Sequence, residues 1–129
     1  LAEVVGPALD GGRSVVSDRS LYSTLAYQGY GRELDVEELT IINDWAINAC
    51  WPETVIFLDT PDELIAERLQ ERELDRFEAA GEAFHQRVIE GFRTMASGNT
   101  ERWITVDSRG SIDEVEASIV AALTERGVL

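Results

Sequence analysis

The 129-residue sequence contains no lysine; all 11 of its cationic residues are arginine, set against 25 acids. That absence excludes one device outright. A phosphate-gripping P-loop places a lysine on the terminal phosphates of its nucleotide, and no residue here can fill that role. The resulting charge of −14 argues against broad binding of nucleic acid or of an anionic membrane surface, because both would be repelled. Cysteine occurs once, as Cys50, so an internal disulfide is excluded and a reducing, cytoplasmic setting is expected. Flanked by Ala49 and Trp51 and without a nearby histidine, Cys50 reads as a small packed residue rather than a nucleophile. The single histidine, His85, has no clustered ligands and reads as a surface or packing residue. Long apolar runs are also missing: Val55-Ile56-Phe57-Leu58 is cut off by Asp59, far short of the roughly 20 residues of a membrane helix. No signal-peptide pattern opens the chain. It starts on Leu1, inside what reads as the middle of a helix, with Val4, Val5, Ala8 and Leu9 on one face.

What is present is a core-forming α/β pattern, with 44% hydrophobic residues. Gly11-Gly12 should end the first helix, and Arg13 to Ser17 reads as a short strand centred on Val15-Val16. Residues 20–34 read as a helical turn followed by a loop. Asp35, with Glu38 three positions on, should cap a helix whose inward face is Val36, Leu39, Ile42, Trp45, Ala46 and Ala49, closed by Pro52. Thr54 to Leu58 is the clearest strand, β-branched and apolar on both faces. Thr60-Pro61-Asp62-Glu63 opens another helix. A charged stretch over 67–78 precedes a long helix with Phe77, Phe84, Val88, Phe92 and Met95 on a shared face, broken at Gly98-Asn99. Trp103 to Val106 is a third strand. Ser111 to Glu114 is a capping box for a terminal helix that turns Val115, Ile119, Ala122 and Leu123 inward and stops at Gly127. Strands alternating with helices imply a parallel sheet with flanking helices, whose ligands bind beyond the carboxyl ends of the strands. One domain over 1–129 is expected.

Three groups of residues are candidates for chemistry. Asp18-Arg19 ends a predicted strand; the arginine can fork onto a phosphate and the aspartate can hold Mg²⁺ or its bound water, or the two can form a local ion pair. Ser23, Thr24, Tyr27 and Gln28 recur at spacings that line one side of a pocket, with Gln28 able to read a base edge, or form ordinary surface. Arg68, Arg72 and Arg76 fall on one helical face, where an anion would relieve their repulsion or nearby Glu71, Glu73 and Asp75 would solvate it. No Ser/His/Asp arrangement, metal-ligand spacing or Gly-rich phosphate loop occurs.

In this order the pieces resemble bacterial thymidylate kinase. The likeness rests on Ser17-Asp18-Arg19, the run Ser23 to Arg32, Ile56 to Pro61, Leu74 to Glu78, and Phe84-His85-Gln86-Arg87-Val88. It extends to Pro7-Ala8-Leu9 and Val106-Asp107-Ser108, so it covers essentially the whole chain. The resemblance implies a P-loop NTPase-type nucleoside monophosphate kinase fold, here incomplete because the first two strands and the P-loop would precede Leu1. It implies phosphorylation of dTMP to dTDP with MgATP, active only when that preceding part is supplied. Arg19 would bind phosphate between the two nucleotides, with Asp18 near Mg²⁺, directly or through water. Ser23 would border the substrate, Thr24 and Gln28 would face thymine and Tyr27 the deoxyribose. Residues of about 67–80 would form a lid carrying Arg68, Arg72 and Arg76, the last two reaching the transferring phosphates. Asp107 and Ser108 would border adenine, and a homodimer is the family's usual assembly. The sequence departs from the family at Ser20, where an aromatic or histidine usually follows Asp-Arg, and at Phe92, where tyrosine is common. Two alternatives stand beside this reading: a related nucleoside or nucleotide kinase, and a non-catalytic nucleotide-binding remnant or partner-completed subunit.

Overall fold

The structure is a computed structural model that describes residues 3–71 and 81–129; for residues 66 and 68–71 it describes the backbone only. In chain order the elements are α1 (Val5–Asp10), α2 (Leu21–Thr24) running into a π-helix (Leu25–Gly31), α3 (Val36–Ala46), β1 (Val55–Asp59), α4 (Asp62–Glu71), α5 (Gly81–Gly98), β2 (Trp103–Asp107) and α6 (Ile112–Glu125). They fall into two compact units, residues 1–52 with 83–92, and residues 53–82 with 93–129. Among the described residues, no helix is long and apolar enough to cross a membrane.

In the first unit, α1 stops at glycine as its sequence dictates, with Gly12 at φ +72 donating its N–H to the Leu9 carbonyl. Residues 13–17 differ from expectation. They form no strand, and Val16 is 97% exposed. A strand is a property of a pair: its N–H and C=O groups need a ladder, and among the described residues nothing pairs with this segment. The helix after it is longer than expected, because α2 continues without a break through the π-helix to Gly31. Leu21, Tyr22, Leu25 and Ala26 are buried there, and the Tyr22 ring lies 5.5 Å from that of Trp51.

Asp35 caps α3, accepting from the Glu38 N–H at 2.9 Å, but among the described residues the reciprocal half of the expected capping box, from the Asp35 N–H to the Glu38 carboxylate, is not formed. The inward face of α3 is only half realised. Val36 and Leu39 turn in and approach Gly29, whereas Ile42 is 59% and Trp45 86% exposed. Helical spacing selects a face, but burial needs a surface opposite, and no described residue covers the second half of this one. The helix also stops early, at a turn with Asn48 and Ala49 at φ +52 and +55. That turn leaves Cys50 exposed rather than packed.

The second unit holds the sheet. β1 and β2 pair in parallel, Val55 opposite Trp103 through Asp59 opposite Asp107, so two of the three strands read from sequence appear within one residue of their expected ends. The chain leaves β1 through α4 and α5 before returning in β2, as a parallel pair requires. Trp103, Ile104 and Val106 are buried, with the Phe57 ring edge-on to Trp103. The four inward positions of α6 are half-buried as expected. Its C-terminus closes as a Schellman motif, Val128 N–H donating to Leu123 and Gly127 N–H (φ +70) to Thr124. Arg126 then donates to the carbonyls of Thr100, Glu101 and Trp103.

The Ser111 capping box is complete. Its hydroxyl accepts from the Glu114 N–H, and its own N–H donates to Glu114 Oε2 at 2.7 Å. The Ser111 N–H, and then its hydroxyl, hold the Glu114 carboxyl below the usual glutamate range. A depressed carboxyl pKa stabilises the fold above the unfolded value and stops doing so as the pH falls through the folded one. Ser111→Ala, which removes the cap hydroxyl, should lower the unfolding midpoint near neutrality. Glu114→Gln should lower the unfolding midpoint at pH 7, and in a series of denaturant titrations its deficit should shrink as the pH falls below the ordinary glutamate value and through the lower folded one.

Candidate functional site

The first unit gathers the first two candidate groups onto one continuous segment, residues 17–32. Asp18 and Arg19 occupy an exposed turn. Arg19 sits at φ +65, a left-handed conformation that costs a non-glycine residue energy. The Ser17 hydroxyl donates to the Arg19 carbonyl at 2.8 Å and helps hold that turn. Among the described residues, neither side chain makes a hydrogen bond or ion pair, so the local Asp18–Arg19 pair offered by the sequence is not formed. Both charges stay available to a ligand. Ser20, the departure from the family pattern, has a local job: with φ −149 it is the N-cap of α2, and its hydroxyl accepts from the Tyr22 N–H.

Behind that cap follow Ser23, Thr24, Tyr27 and Gln28. Thr24 is exposed and the other three are half-buried. Thr24 ends the α-helical turn, while Tyr27 and Gln28 lie in the π-helix, where Arg32 N–H reaches back five residues to the Tyr27 carbonyl at 3.1 Å. Such i→i+5 turns are rare and concentrate at functional sites. Two neighbours press on this one. Gly29 lies against Val36 of α3, where an added Cβ would be 2.9 Å from Cγ2. Gly31 lies against Phe84 and Val88 of α5, and the Tyr27 ring centre is 6.0 Å from that of Phe84. Sequence spacing did not disclose the π-helix; the Gly29/Gly31 pair was its available sign.

The second unit carries the remaining candidates at the carboxyl end of its sheet. Asp107 is held by Arg109, whose Nε donates at 2.8 and 3.0 Å to its two oxygens, and this side-chain hydrogen bonding depresses the Asp107 carboxyl. Ser108 is buried, its N–H and hydroxyl on the Asp59 carbonyl at 3.0 and 3.1 Å and its hydroxyl 2.6 Å from Thr60 Oγ1. Its side chain thus tethers the two strand ends and offers little to a ligand. Arg93, unmarked in the sequence, donates Nε and Nη2 to Asp59 and Asp62 at 3.2 and 3.0 Å. Partial burial, which lowers an arginine pKa, is outweighed there by the two carboxylates, which raise it. A cleft of about 360 Å³ opens beside this cluster, lined by Phe57, Trp103 and Thr105 of the strands and Arg93 and Ala96 of α5. It includes none of the candidate residues, and its charged groups already pair with each other. Arg68 lies on α4 by its backbone, while its side chain and all of Arg72 and Arg76 lie outside the described residues.

No group of three or more His, Cys, Asp or Glu side chains that could hold a metal occurs among the described residues. A lone exposed carboxylate such as Asp18 nevertheless suits Mg²⁺, which keeps most of its waters and takes its other ligands from phosphate.

The fold, with two parallel strands among the described residues, is that of a nucleoside monophosphate kinase. The crystal structure of thymidylate kinase from Ehrlichia chaffeensis superposes with a TM-score of 0.72 over 95% of this chain and 56% of that one, at 24% sequence identity, a likeness that speaks for the fold. The sequence model of the thymidylate kinase family matches residues 1–119, and the chain belongs to that family. It is 38% identical to the thymidylate kinase of Staphylococcus epidermidis over 117 residues, 89% of this chain and 58% of that protein. It is also 38% identical to that of Maridesulfovibrio salexigens over 134 aligned residues, 98% of this chain and 62% of the relative. The chain therefore spans about 60% of the length of these curated relatives.

Proposed function

We propose that this chain supplies the dTMP-facing and arginine-bearing part of a thymidylate kinase, which moves the γ-phosphoryl group of MgATP onto dTMP to give dTDP. The observation that supports it best is the Asp18-Arg19 turn: two charges unpaired among the described residues, one on a strained backbone, directly before the helix bearing Thr24, Tyr27 and Gln28. Arg19 binds phosphate between donor and acceptor, and Asp18 holds a Mg²⁺-bound water. Mg²⁺, when bound, neutralises phosphate charge as the group transfers. Thr24 and Gln28 read the thymine edge, Tyr27 packs along the deoxyribose, and Ser23 borders them. Arg68, Arg72 and Arg76 belong to the same proposal as lid arginines, on family resemblance. Asp107 and Ser108 flank adenine through backbone, which agrees with the engagement of both side chains elsewhere. Homodimer formation and a cytoplasmic location rest on the family as well.

The lack of any lysine favours a second reading for the 129 residues taken alone, a nucleotide-binding piece without turnover. One assay separates the outcomes. Supplied with dTMP and MgATP, this chain should yield no dTDP. Joined to the part of the Staphylococcus epidermidis relative that it does not match, it should yield dTDP. Turnover by the chain alone would refute the need for an added P-loop, and a folded but inactive chimera would refute the kinase reading.

A further inference from the structure

The π-helix needs an explanation, because i→i+5 turns are rare and occur mostly as single turns within α-helices. Its last carbonyl, that of buried Gly31, has a partner from far along the chain: Arg87 Nε of α5 donates to it at 2.9 Å. We propose that Arg87 is a positioning residue, which locks the π-register of residues 25–31 and thereby sets where Tyr27 and Gln28 point.

Two physical effects and two observations combine here. The final carbonyls of a helix lack intrahelical donors, and a guanidinium at that end meets both the bare oxygen and the negative pole of the helix. A hydrogen bond from a charged donor is about twice as strong as a neutral one. Arg87 also sits within the face that grips the π-helix: Phe84, Val88 and Gly91 follow at helical spacing. Phe84 and Val88 press on Gly31, while Gly91 receives Tyr30, whose Cγ would lie 2.6 Å from an added Cβ. Finally, the register is one that α-geometry would undo. In an α-helix the Arg32 N–H would bond to Gln28; here it bonds to Tyr27, and Leu34 N–H takes the Gln28 carbonyl at 3.2 Å. Each residue turns less about the axis in a π-helix than in an α-helix. Reversion would therefore swing every side chain after Leu25 progressively around it, Tyr27 and Gln28 included. The donor is Nε, the nitrogen nearest the stem, so the terminal amine of a lysine does not reproduce the geometry.

The consequence for ligand binding rests on the proposed dTMP site, whereas the structural role does not, and two readouts keep them apart. Amide hydrogen exchange is measured on the 129-residue chain and on Arg87→Met, which keeps the packed stem and removes the donor. Exchange at Arg32 and Leu34 should accelerate by about tenfold or more, while β1 and β2 amides stay unchanged. Equal acceleration throughout would show a general structural loss and overturn the proposal, as would no acceleration at residues 32 and 34. If Arg87→Met does not fold, Arg87→Lys is read against the same two outcomes. Titration with dTMP, followed by the NMR shifts of residues 27–34, should show affinity about tenfold weaker in Arg87→Met. A wild-type chain that ignores dTMP would count against the site assignment, and the exchange data would still decide the role of Arg87.

Discussion

Replacing Arg19 by alanine should lower dTDP formation roughly a hundredfold or more in the completed enzyme, by analogy with removal of one charge-stabilising donor from a transition state. The loss should appear mainly in kcat, because in this proposal the guanidinium meets charge that develops during transfer. Arg19→Gly makes the test sharper. Glycine should lose turnover just as severely, since the guanidinium is gone. Yet the residue sits at φ +65, and its side chain makes no bond among the described residues. Glycine relieves the backbone strain, so the fold should gain roughly 0.5–1 kcal/mol. Stability rising while activity collapses is the pattern of a residue kept for function at the expense of the fold. Denaturant titration beside steady-state kinetics checks both halves. A glycine variant that keeps its turnover would remove Arg19 from the mechanism.

Adding one methyl group at Gly31 or Gly91 should destabilise the first unit by about 2–3 kcal/mol through overpacking. At Gly31 the new Cβ would lie 2.6 Å from Phe84 Cε2 and 2.8 Å from Val88 Cγ2. At Gly91 it would meet Tyr30 Cγ at 2.6 Å and Cβ at 2.7 Å, atoms too close to the main chain to swing aside. Gly98 is the internal control. It lies in the same helix with nothing within 4 Å of the added carbon, so Gly98→Ala should be neutral or stabilise by up to about 1 kcal/mol. Unfolding midpoints of the three variants would order these effects. Equal midpoints for Gly31→Ala and Gly98→Ala would show that the close approach of the π-helix and α5 is not a tight fit.

Some of this architecture can be read locally. Val55 to Leu58 and Trp103 to Val106 are apolar, β-branched runs ended by aspartate, and both become strands. Ser111-x-x-Glu114 and Gly127 delimit α6, because caps are contacts between near neighbours in sequence. The Asp18-Arg19 pair is visible in the same way, as are the helical spacings of Thr24, Tyr27 and Gln28. Other features mislead for one shared reason. Val15-Val16 reads as a strand and Ile42 and Trp45 as a buried face, but pairing and burial depend on what lies opposite, which a pattern within one segment does not contain. Cys50 fails likewise, since the turn at Asn48 and Ala49 carries it outward.

The lysine-free composition, the acidic charge, the caps and the order of motifs are properties of the sequence, and they suffice for the family and for the exclusion of a P-loop within these residues. The strained backbone at Arg19, the π-register under Tyr27 and Gln28, the occupation of Ser108 by Thr60, and the reach of Arg87 to Gly31 are not. The Arg19 turn is held by Ser17, a neighbour in sequence, whereas Thr60 meets Ser108 and Arg87 meets Gly31 only because the fold brings together residues tens of positions apart. A side chain's type shows what chemistry it can do. Which of its atoms remain free to do it depends on the partners that packing brings beside it.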